Sequence, residues 1–525
     1  MGSSTGKKLL GATGAALAAV AGYDLTQKRH AVLRNYPVIG HLRYLLEDIR
    51  PEMQQYFVER NWDGRPYNRD VRSVIYQRAK GISDENAFGT ELDVDEVGYE
   101  WLVHSVSPVA EPDEPPRIMV GGPDCRRPYS MSVLNVSAMS FGALSANAIR
   151  ALNKGAAMGG FAHDTGEGGI SPYHLEYGGD LVWELGTGYF GARTAGGGFD
   201  PDQFADKAAD DRVKCVSLKL SQGAKPGIGG VLPGPKVTPE IAEIRGVAQG
   251  ETCVSPPSHR VFSTPVELIE FIARMRDLSG GKPAGFKLCV SSRIDVLAIV
   301  KAMIQVGATP DFIIVDGSEG GTGAAPLEFE DHVGMPLTQG LMLLHNALVG
   351  AGLRDQVRVA ASGKVASSTD VVKRMIQGAD YLNAARAMMM AVGCIHAQKC
   401  NTDHCPVGVA TQNPRRARAL DVPSKAERVK NYQEETVREA ITLMAAMGVA
   451  DPAELNPHLL RRNVSAHRNR SYAEIHEWLE PGQLLHEPPP SWAADWAAAS
   501  ADEFRVARPV VSRPAAPAAT GRRPG

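Results

Sequence analysis

From about residue 117 the chain alternates between short apolar, strand-like runs and longer helix-like runs, with eight strand-like runs in all, most of them followed by a helix. The strand-like runs are Ser132 to Met139, Phe161 to Thr165, Val182 to Gly188, Cys215 to Leu220, Gly285 to Val290, Asp311 to Val315, Val357 to Ala361 and Tyr381 to Ala385. Helical runs lie between them at Leu144 to Met158, Arg293 to Val306, Leu337 to Leu348 and Thr369 to Gln377, with Gly307 and Gly378 placed to close two of them. Thr264-Pro-Val-Glu267 opens a further helix with an N-cap, a proline at the first position and a capping-box glutamate. Strict alternation implies a parallel sheet, because each helix must carry the chain back to the same end of the sheet. Eight units over this length predict an α/β fold closed into a (β/α)8 TIM barrel; a doubly wound open sheet is the alternative.

The remaining segments divide by composition. Residues 1–30 hold the apolar run Leu9 to Tyr23 behind Lys7 and Lys8, shorter than the ~20 residues of a spanning helix. No clear cleavage site follows it, so it reads as a leader with weak membrane-anchoring capacity. Residues 31–116 are rich in Arg, Tyr and Asp, with Gln27 to Arg60 mostly helical, and predict an N-terminal helical cap ending at Glu111-Pro-Asp-Glu-Pro-Pro116. The barrel takes 117–415, a helical extension 416–486, and a Pro/Ala/Arg-rich tail, 487–525, is expected to be disordered. A net charge of −3 and the absence of a basic run before the tail give no reason to expect a nucleic-acid partner. Seven cysteines, an odd number with four scattered singly, argue against a secreted disulfide framework and for the cytoplasm.

Four groups of residues carry chemistry. Cys394, Cys400 and Cys405-Pro406 place three soft thiolates in one short loop, a donor set for an iron–sulfur cluster with three irons. Zinc, with His396 or His404 as fourth ligand, and three inert cysteines are the competing readings. Glycine-rich segments follow the sixth, seventh and eighth strands: Asp316-Gly-Ser-Glu-Gly-Gly-Thr-Gly323, with Gly320, Gly321 and Thr322, then Ser362-Gly363-Lys364, then Ala384-Ala385-Arg386. The last loops of such barrels commonly cradle a phosphate with backbone N–H groups, which suits flavin mononucleotide; ordinary βα turns are the plainer reading. No G-x-G-x-x-G follows an early strand, so a dinucleotide site is not indicated. Lys219-Leu-Ser-Gln222-Gly-Ala-Lys225-Pro-Gly227, with Lys236 and Arg245 beyond, sets cations at a strand end and suits an anionic substrate such as a dicarboxylate. Glu167, in Thr165-Gly-Glu-Gly-Gly169, is either a proton-transfer group or a loop carboxylate holding backbone N–H groups.

Together these segments resemble the FMN-binding synthase domain of the glutamate synthase family. The resemblance covers about residues 117–415 and rests on Met139-Ser-Phe-Gly-Ala-Leu-Ser145, Thr165 to Gly169, Lys219 to Gly227, Leu232-Pro-Gly-Pro-Lys-Val237, Ile241-Ala-Glu-Ile-Arg-Gly246, Asp316 to Gly323, Cys400, and Cys405-Pro-Val-Gly-Val-Ala-Thr-Gln412. Leu33 to Arg50 looks like the shorter stand-alone branch of that family, which often begins with a membrane helix.

The resemblance implies FMN and a 3Fe–4S cluster on Cys394, Cys400 and Cys405. It implies condensation of 2-oxoglutarate with ammonia to 2-iminoglutarate and reduction to L-glutamate. Lys219, Lys225 and Arg245 would hold the keto acid, Gln222 would lie near flavin and substrate, and Ser140 and Gly142 would approach the isoalloxazine. Residue 2 is Gly where full-length members carry a catalytic N-terminal cysteine, and no glutaminase segment precedes the barrel. The expected partners are therefore an electron-donor protein, ferredoxin-like or a reductase subunit, and a source of free ammonia or a separate glutaminase. A flavin and iron–sulfur oxidoreductase on another amino or hydroxy acid, and an electron-transfer subunit of a larger complex, are the alternatives.

Overall fold

All eight predicted strands form, and they close on one another. In the computed structural model, which describes residues 3–508, β1 (Leu134–Val136), β2 (His163–Asp164), β3 (Leu181–Leu185), β4 (Val213–Lys219), β5 (Ala284–Leu288), β6 (Phe312–Asp316), β7 (Arg358–Ser362) and β8 (Tyr381–Ala384) form a closed barrel. Every neighbouring pair is parallel, and β8 returns to β1. The fold is a (β/α)8 barrel; the open-sheet alternative fails because β1 and β8 are partners rather than edges.

The helices start and stop where capping chemistry tells them to. Ser145 accepts the Ala148 N–H at the head of Ala146–Gly159, and Ser292 accepts the Asp295 N–H at the head of Arg293–Val306. Thr264 and Glu267 form the predicted capping box, and Ser367 with Asp370 forms another. Gly307 closes its helix in the left-handed conformation at φ 71°.

An antiparallel hairpin, Arg117–Val120 with Tyr129–Ser132, precedes the barrel. Its Val120 and Met131 are buried in one cluster with Val182, Cys215, Phe312, Ile314, Ala360 and Tyr381, from the first half of the barrel strands. The hairpin thus plugs the N-terminal end of the barrel and leaves the opposite end, where the strand-end loops gather, for a site.

The chain divides into two units, Met1–Asp70 and Val71–Gly525. In the first, helices span Ser3–Thr26, Ala31–Asn35 and His41–Met53. The helix expected over 27–60 is interrupted around Pro37, where Val38 takes φ 66° and its N–H donates to Asp24 Oδ2 at 2.8 Å. The apolar segment is longer than the run read from sequence: Gly6–Thr26, 21 residues with mean hydropathy 1.3, is long and apolar enough to cross a bilayer. Its glycines and threonines hide that length from a count of strongly apolar residues.

The second unit takes in three of the expected segments. Residues 71–116 fall in the same unit as the barrel. The extension is only partly helical: after the helix Val422–Ala446, strands Leu460–Ser465 and Arg468–Ser471 pair into a three-stranded antiparallel sheet with Glu100–Leu102. These strands are polar and largely exposed, so they carry no apolar alternation to betray them. The tail from 487 is ordered through its first part, with a helix over Pro490–Ala498. Trp492 is buried there, donates to Glu477 at 3.0 Å and lies under Arg293, while Lys301 donates to Trp496 O and Ala499 O. Two tryptophans anchor a segment whose average composition suggests disorder. Residues 509–525 lie outside the described part of the chain.

Candidate active site

Lys219 is the last residue of β4, and its side chain turns into the barrel mouth. Its Nζ donates to Glu167 Oε1 at 2.7 Å and to Gln222 Oε1. Glu167 belongs to the loop after β2 and is wedged among glycines: a Cβ on Gly230 or Gly186 would meet its carboxylate at 2.3 or 2.5 Å. Burial alone would raise its pKa, but the charges of Lys219, Arg245 and Lys287 hold it below the usual carboxylate range.

The long excursion between β4 and the helix Pro265–Leu278 folds over this pair. Within it a short antiparallel pair, Val231–Leu232 with Cys253–Val254, and a helix, Pro239–Arg245, hold two cations inward. Thr238 caps that helix and Gly246 ends it at φ 62°. Four basic residues, Lys219, Lys225, Lys236 and Arg245, are consequently at most 8% exposed. Burial, with Lys219 nearby, lowers the Lys225 pKa; burial also lowers those of Lys236 and Arg245. Lys225 donates to Ala324 O at 2.9 Å. Arg245 donates to Ser140 Oγ and Phe141 O, both at 3.2 Å, and its buried Nε has no partner among the described residues. Gly142, at φ 105°, leaves the room Arg245 occupies: a Cβ there would lie 3.2 Å from the guanidinium.

The glycine-rich loops after β6, β7 and β8 are also brought together. Gly317 N–H donates to Ser362 O at 2.8 Å, and Arg386 donates to Glu319 O at 2.6 Å. A Cβ on Gly321 would strike the Arg386 side chain at 2.8 Å. Gly363 and Lys364 both have positive φ, 128° and 56°, a turn that a lysine adopts only under local constraint. Ser362 is buried, Thr322 half-buried, and Ala385 immediately precedes the helix Arg386–Val392. This half is joined to the Lys219 half through Gly223, whose N–H donates to Asp316 Oδ2 at 2.8 Å.

Cys394, Cys400 and Cys405 lie on the loop beyond that helix, all as free thiols. Burial, with His396 N–H opposing and the other two thiols adding, pushes Cys394 up to about 12. Cys400 is raised by burial and by Cys405. Each thiol therefore sits in the field of its neighbours. Three non-glycine residues of this loop, His396, Gln398 and Asp403, adopt left-handed φ between 53° and 62°. Among the described residues, however, no group of three His, Cys, Asp or Glu side chains is drawn close enough to hold a metal ion. The His396 ring is engaged by Arg72 and lies against Gln398. Lys236 donates to Cys400 O at 3.4 Å and to Ala143 O at 2.7 Å, tying the cysteine loop to the loop after β1.

A second ionic layer was not anticipated. Lys287 of β5 contacts Glu184 of β3, and both are buried inside the barrel. Asp164 of β2, whose Oδ1 accepts the Gly166 N–H at 2.9 Å, shares that interior. Burial first, then the Glu184 charge, raises Asp164 to about 8. Lys287 is pushed up: burial opposes its charge, but Glu184 and Asp164 overcome it. The readable signal was a single charge in the middle of an otherwise apolar strand, Val182-Trp-Glu-Leu185 and Gly285-Phe-Lys-Leu288, where a charge needs a partner.

Comparison with known proteins gives this site its context. The family model described as the conserved region in glutamate synthase matches residues 124–450. The chain belongs to the glutamate synthase family of oxidoreductases. The glutamate synthase large subunit-like protein YerD of Bacillus subtilis (strain 168) is 36% identical over 470 residues, 82% of this chain and 89% of that protein. The archaeal glutamate synthase (NADPH) of Methanocaldococcus jannaschii is 32% identical over 315 residues, 60% of this chain and 58% of its own length. The glutamate synthase (NADPH) large chain of Bacillus subtilis (strain 168) is 34% identical over 318 residues, 59% of this chain and 20% of that one. The segment matched to glutamate synthase contains the barrel, the buried cations and the cysteine loop, and leaves out the first unit.

Proposed function

We propose that this chain performs glutamate synthase-type reductive amination of 2-oxoglutarate, through 2-iminoglutarate, to L-glutamate, with ammonia and electrons supplied by partners. One observation carries the reading: Lys219, Lys225 and Arg245, three buried cations from two different segments, surround a single carboxylate, Glu167. An excess of buried positive charge calls for an anion, and a dicarboxylate keto acid supplies the missing charge.

The strand-end glycines fit a phosphate cradle, since Gly320, Gly321, Thr322, Ser362, Gly363, Lys364, Ala385 and Arg386 bring backbone and one guanidinium to one place. Ser140, Gly142 and Lys219 border the same mouth and would face the ring system of FMN. The donor chemistry of Cys394, Cys400 and Cys405, three neighbouring soft thiols, suits a 3Fe–4S cluster. When bound, FMN supplies the two electrons that reduce the imine, and the cluster passes electrons inward one at a time.

The chain's own residues bind and move protons. Lys225 and Arg245 neutralise the substrate carboxylates. Lys219, hydrogen-bonded to Glu167 and Gln222, orients the keto group and can pass a proton to the departing oxygen, while ionised Glu167 takes one from the incoming ammonium. The electrons come from a ferredoxin-like protein or a reductase subunit, and ammonia from solution or a separate glutaminase. Seven free cysteines suit the reducing cytoplasm, with the helix Ser3–Thr26 available for membrane association.

The test is anaerobic purification followed by FMN and iron counts, a visible spectrum, and chemical reduction of the flavin. Reoxidation that requires 2-oxoglutarate and ammonia together, with equimolar glutamate formed, is the expected result. Reoxidation by another keto acid, or by none, would overturn the reading.

A further inference from the structure

Tyr189 and His259 make a directed hydrogen-bond chain onto the backbone of Lys219. His259 Nε2 lies 2.8 Å from Lys219 O, and its Nδ1 lies 3.1 Å from the Tyr189 hydroxyl. A carbonyl only accepts, so Nε2 carries the hydrogen. Burial lowers the His259 pKa to about 4, so the ring is neutral near pH 7 and Nδ1 accepts from the Tyr189 O–H. The Tyr189 oxygen in turn accepts the Arg260 N–H at 3.0 Å. Tyr189 is fully buried and held at φ 50°, a conformation rare for a tyrosine and concentrated where a backbone is constrained for a purpose. The two residues come from separate segments, the loop after β3 and the far end of the excursion after β4. They meet at the carbonyl of Lys219, whose side chain reaches both Glu167 and Gln222.

We propose that Tyr189 and His259 are positioning residues that hold the end of β4 so that Lys219 Nζ stays between Glu167 and Gln222. The inference rests on the role given to Lys219 under the proposed function. It predicts a defect in turnover rather than in substrate capture, because Lys225 and Arg245 are held by other contacts.

The test uses the holoenzyme with His259→Leu, His259→Gln and Tyr189→Phe. Glutamine retains a donor for Lys219 O and an acceptor for Tyr189. In the leucine and phenylalanine variants kcat should fall about 10–100-fold, as expected when a reacting group is displaced by roughly an ångström, with KM for 2-oxoglutarate little changed. The glutamine variant should recover most of the loss. A second readout needs no turnover: the rate at which an acylating reagent modifies Lys219, followed by mass spectrometry, should rise in His259→Leu and Tyr189→Phe and stay near wild type in His259→Gln. Should His259→Leu fail to fold, Tyr189→Phe carries both measurements. Unchanged kcat and unchanged Lys219 reactivity would overturn the proposal. So would a wild-type pH–rate limb at about pH 6–7 that disappears in His259→Gln, since it would make His259 an acid–base group. A wild-type enzyme inactive on 2-oxoglutarate overturns the proposed function instead, while the reactivity of Lys219 still decides the positioning role.

Discussion

Lys219 and Lys287 are register partners on the adjacent strands β4 and β5, so both ammonium groups point to the same face, the barrel interior. Two like charges side by side in a low-dielectric interior repel unless each is matched. Each is: Lys219 by Glu167 above, Lys287 by Glu184 within the barrel. The Lys287–Glu184 pair is buried inside the barrel, and the Lys219–Glu167 pair lies at the mouth.

Breaking the Lys287–Glu184 pair from one side should therefore be costly. Lys287→Met or Glu184→Gln alone leaves an uncompensated buried charge and should destabilise by about 3–5 kcal/mol. The double variant Glu184→Gln/Lys287→Met should recover most of that. Urea denaturation of the three variants gives the coupling directly; additive losses would show that the two side chains do not act as a pair.

Asp164 and Glu167 should respond to pH with opposite signs. Asp164, raised to about 8, binds its proton more tightly folded than unfolded, so its contribution to stability is full below its unfolded pKa and is lost as pH rises towards 8. Glu167, held low, contributes above its unfolded pKa and loses that contribution as pH falls through its folded value. Melting temperature against pH should decline less steeply between about pH 4 and 8 in Asp164→Asn than in wild type. An identical slope would show that Asp164 is ionised in the folded protein.

Lys225→Ala should raise KM for 2-oxoglutarate about 10–100-fold, the value of a hydrogen bond to a charged group. Steady-state kinetics with ammonia saturating measures it. Unchanged kinetics would remove Lys225 from substrate binding and leave it only its bond to Ala324 O.

Replacement of any one of Cys394, Cys400 and Cys405 by serine should abolish bound iron while leaving FMN content near wild type. Wild-type protein should contain about three irons per chain, the number three thiolate ligands serve. Zinc in place of iron, or iron retained after each substitution, would contradict the cluster.

Gly223→Ala should disrupt the junction between the two halves of the site. A Cβ there would lie 1.8 Å from Gly317 O, so one of the two strand-end loops must move. Reduced FMN content after purification is the expected outcome, measured by absorbance against protein; full FMN content would show that this junction does not support the cradle.

The barrel was legible because its signals are local. Each strand is a short apolar run, and helices such as Pro265–Leu278 and Arg293–Val306 are bounded by capping residues that act within one turn. The tail helix was not legible, because Trp492 and Trp496 order it through contacts with Arg293 and Lys301, some two hundred residues away. The polar strands Leu460–Ser465 and Arg468–Ser471 were missed because nothing in their own composition alternates. Among site residues, Lys219, Lys225 and Glu167 could be read from their places beside predicted strand ends. His259, forty residues beyond Lys219 in a Pro/Ser-rich stretch, could not.

By itself the sequence determined eight strands, five of the helices between them, the loops that gather at one end of the barrel, and the kinds of side chain those loops carry. These follow from periodicity, capping and spacing, which act over a few residues. Which charges are paired was decided only by tertiary structure. The register of β4 against β5 sets Lys219 beside Lys287, and the fold of the excursion over the mouth buries Lys236 and Arg245. Ion pairing depends on distance in space and on exclusion of water, and neither is a property of neighbours along the chain.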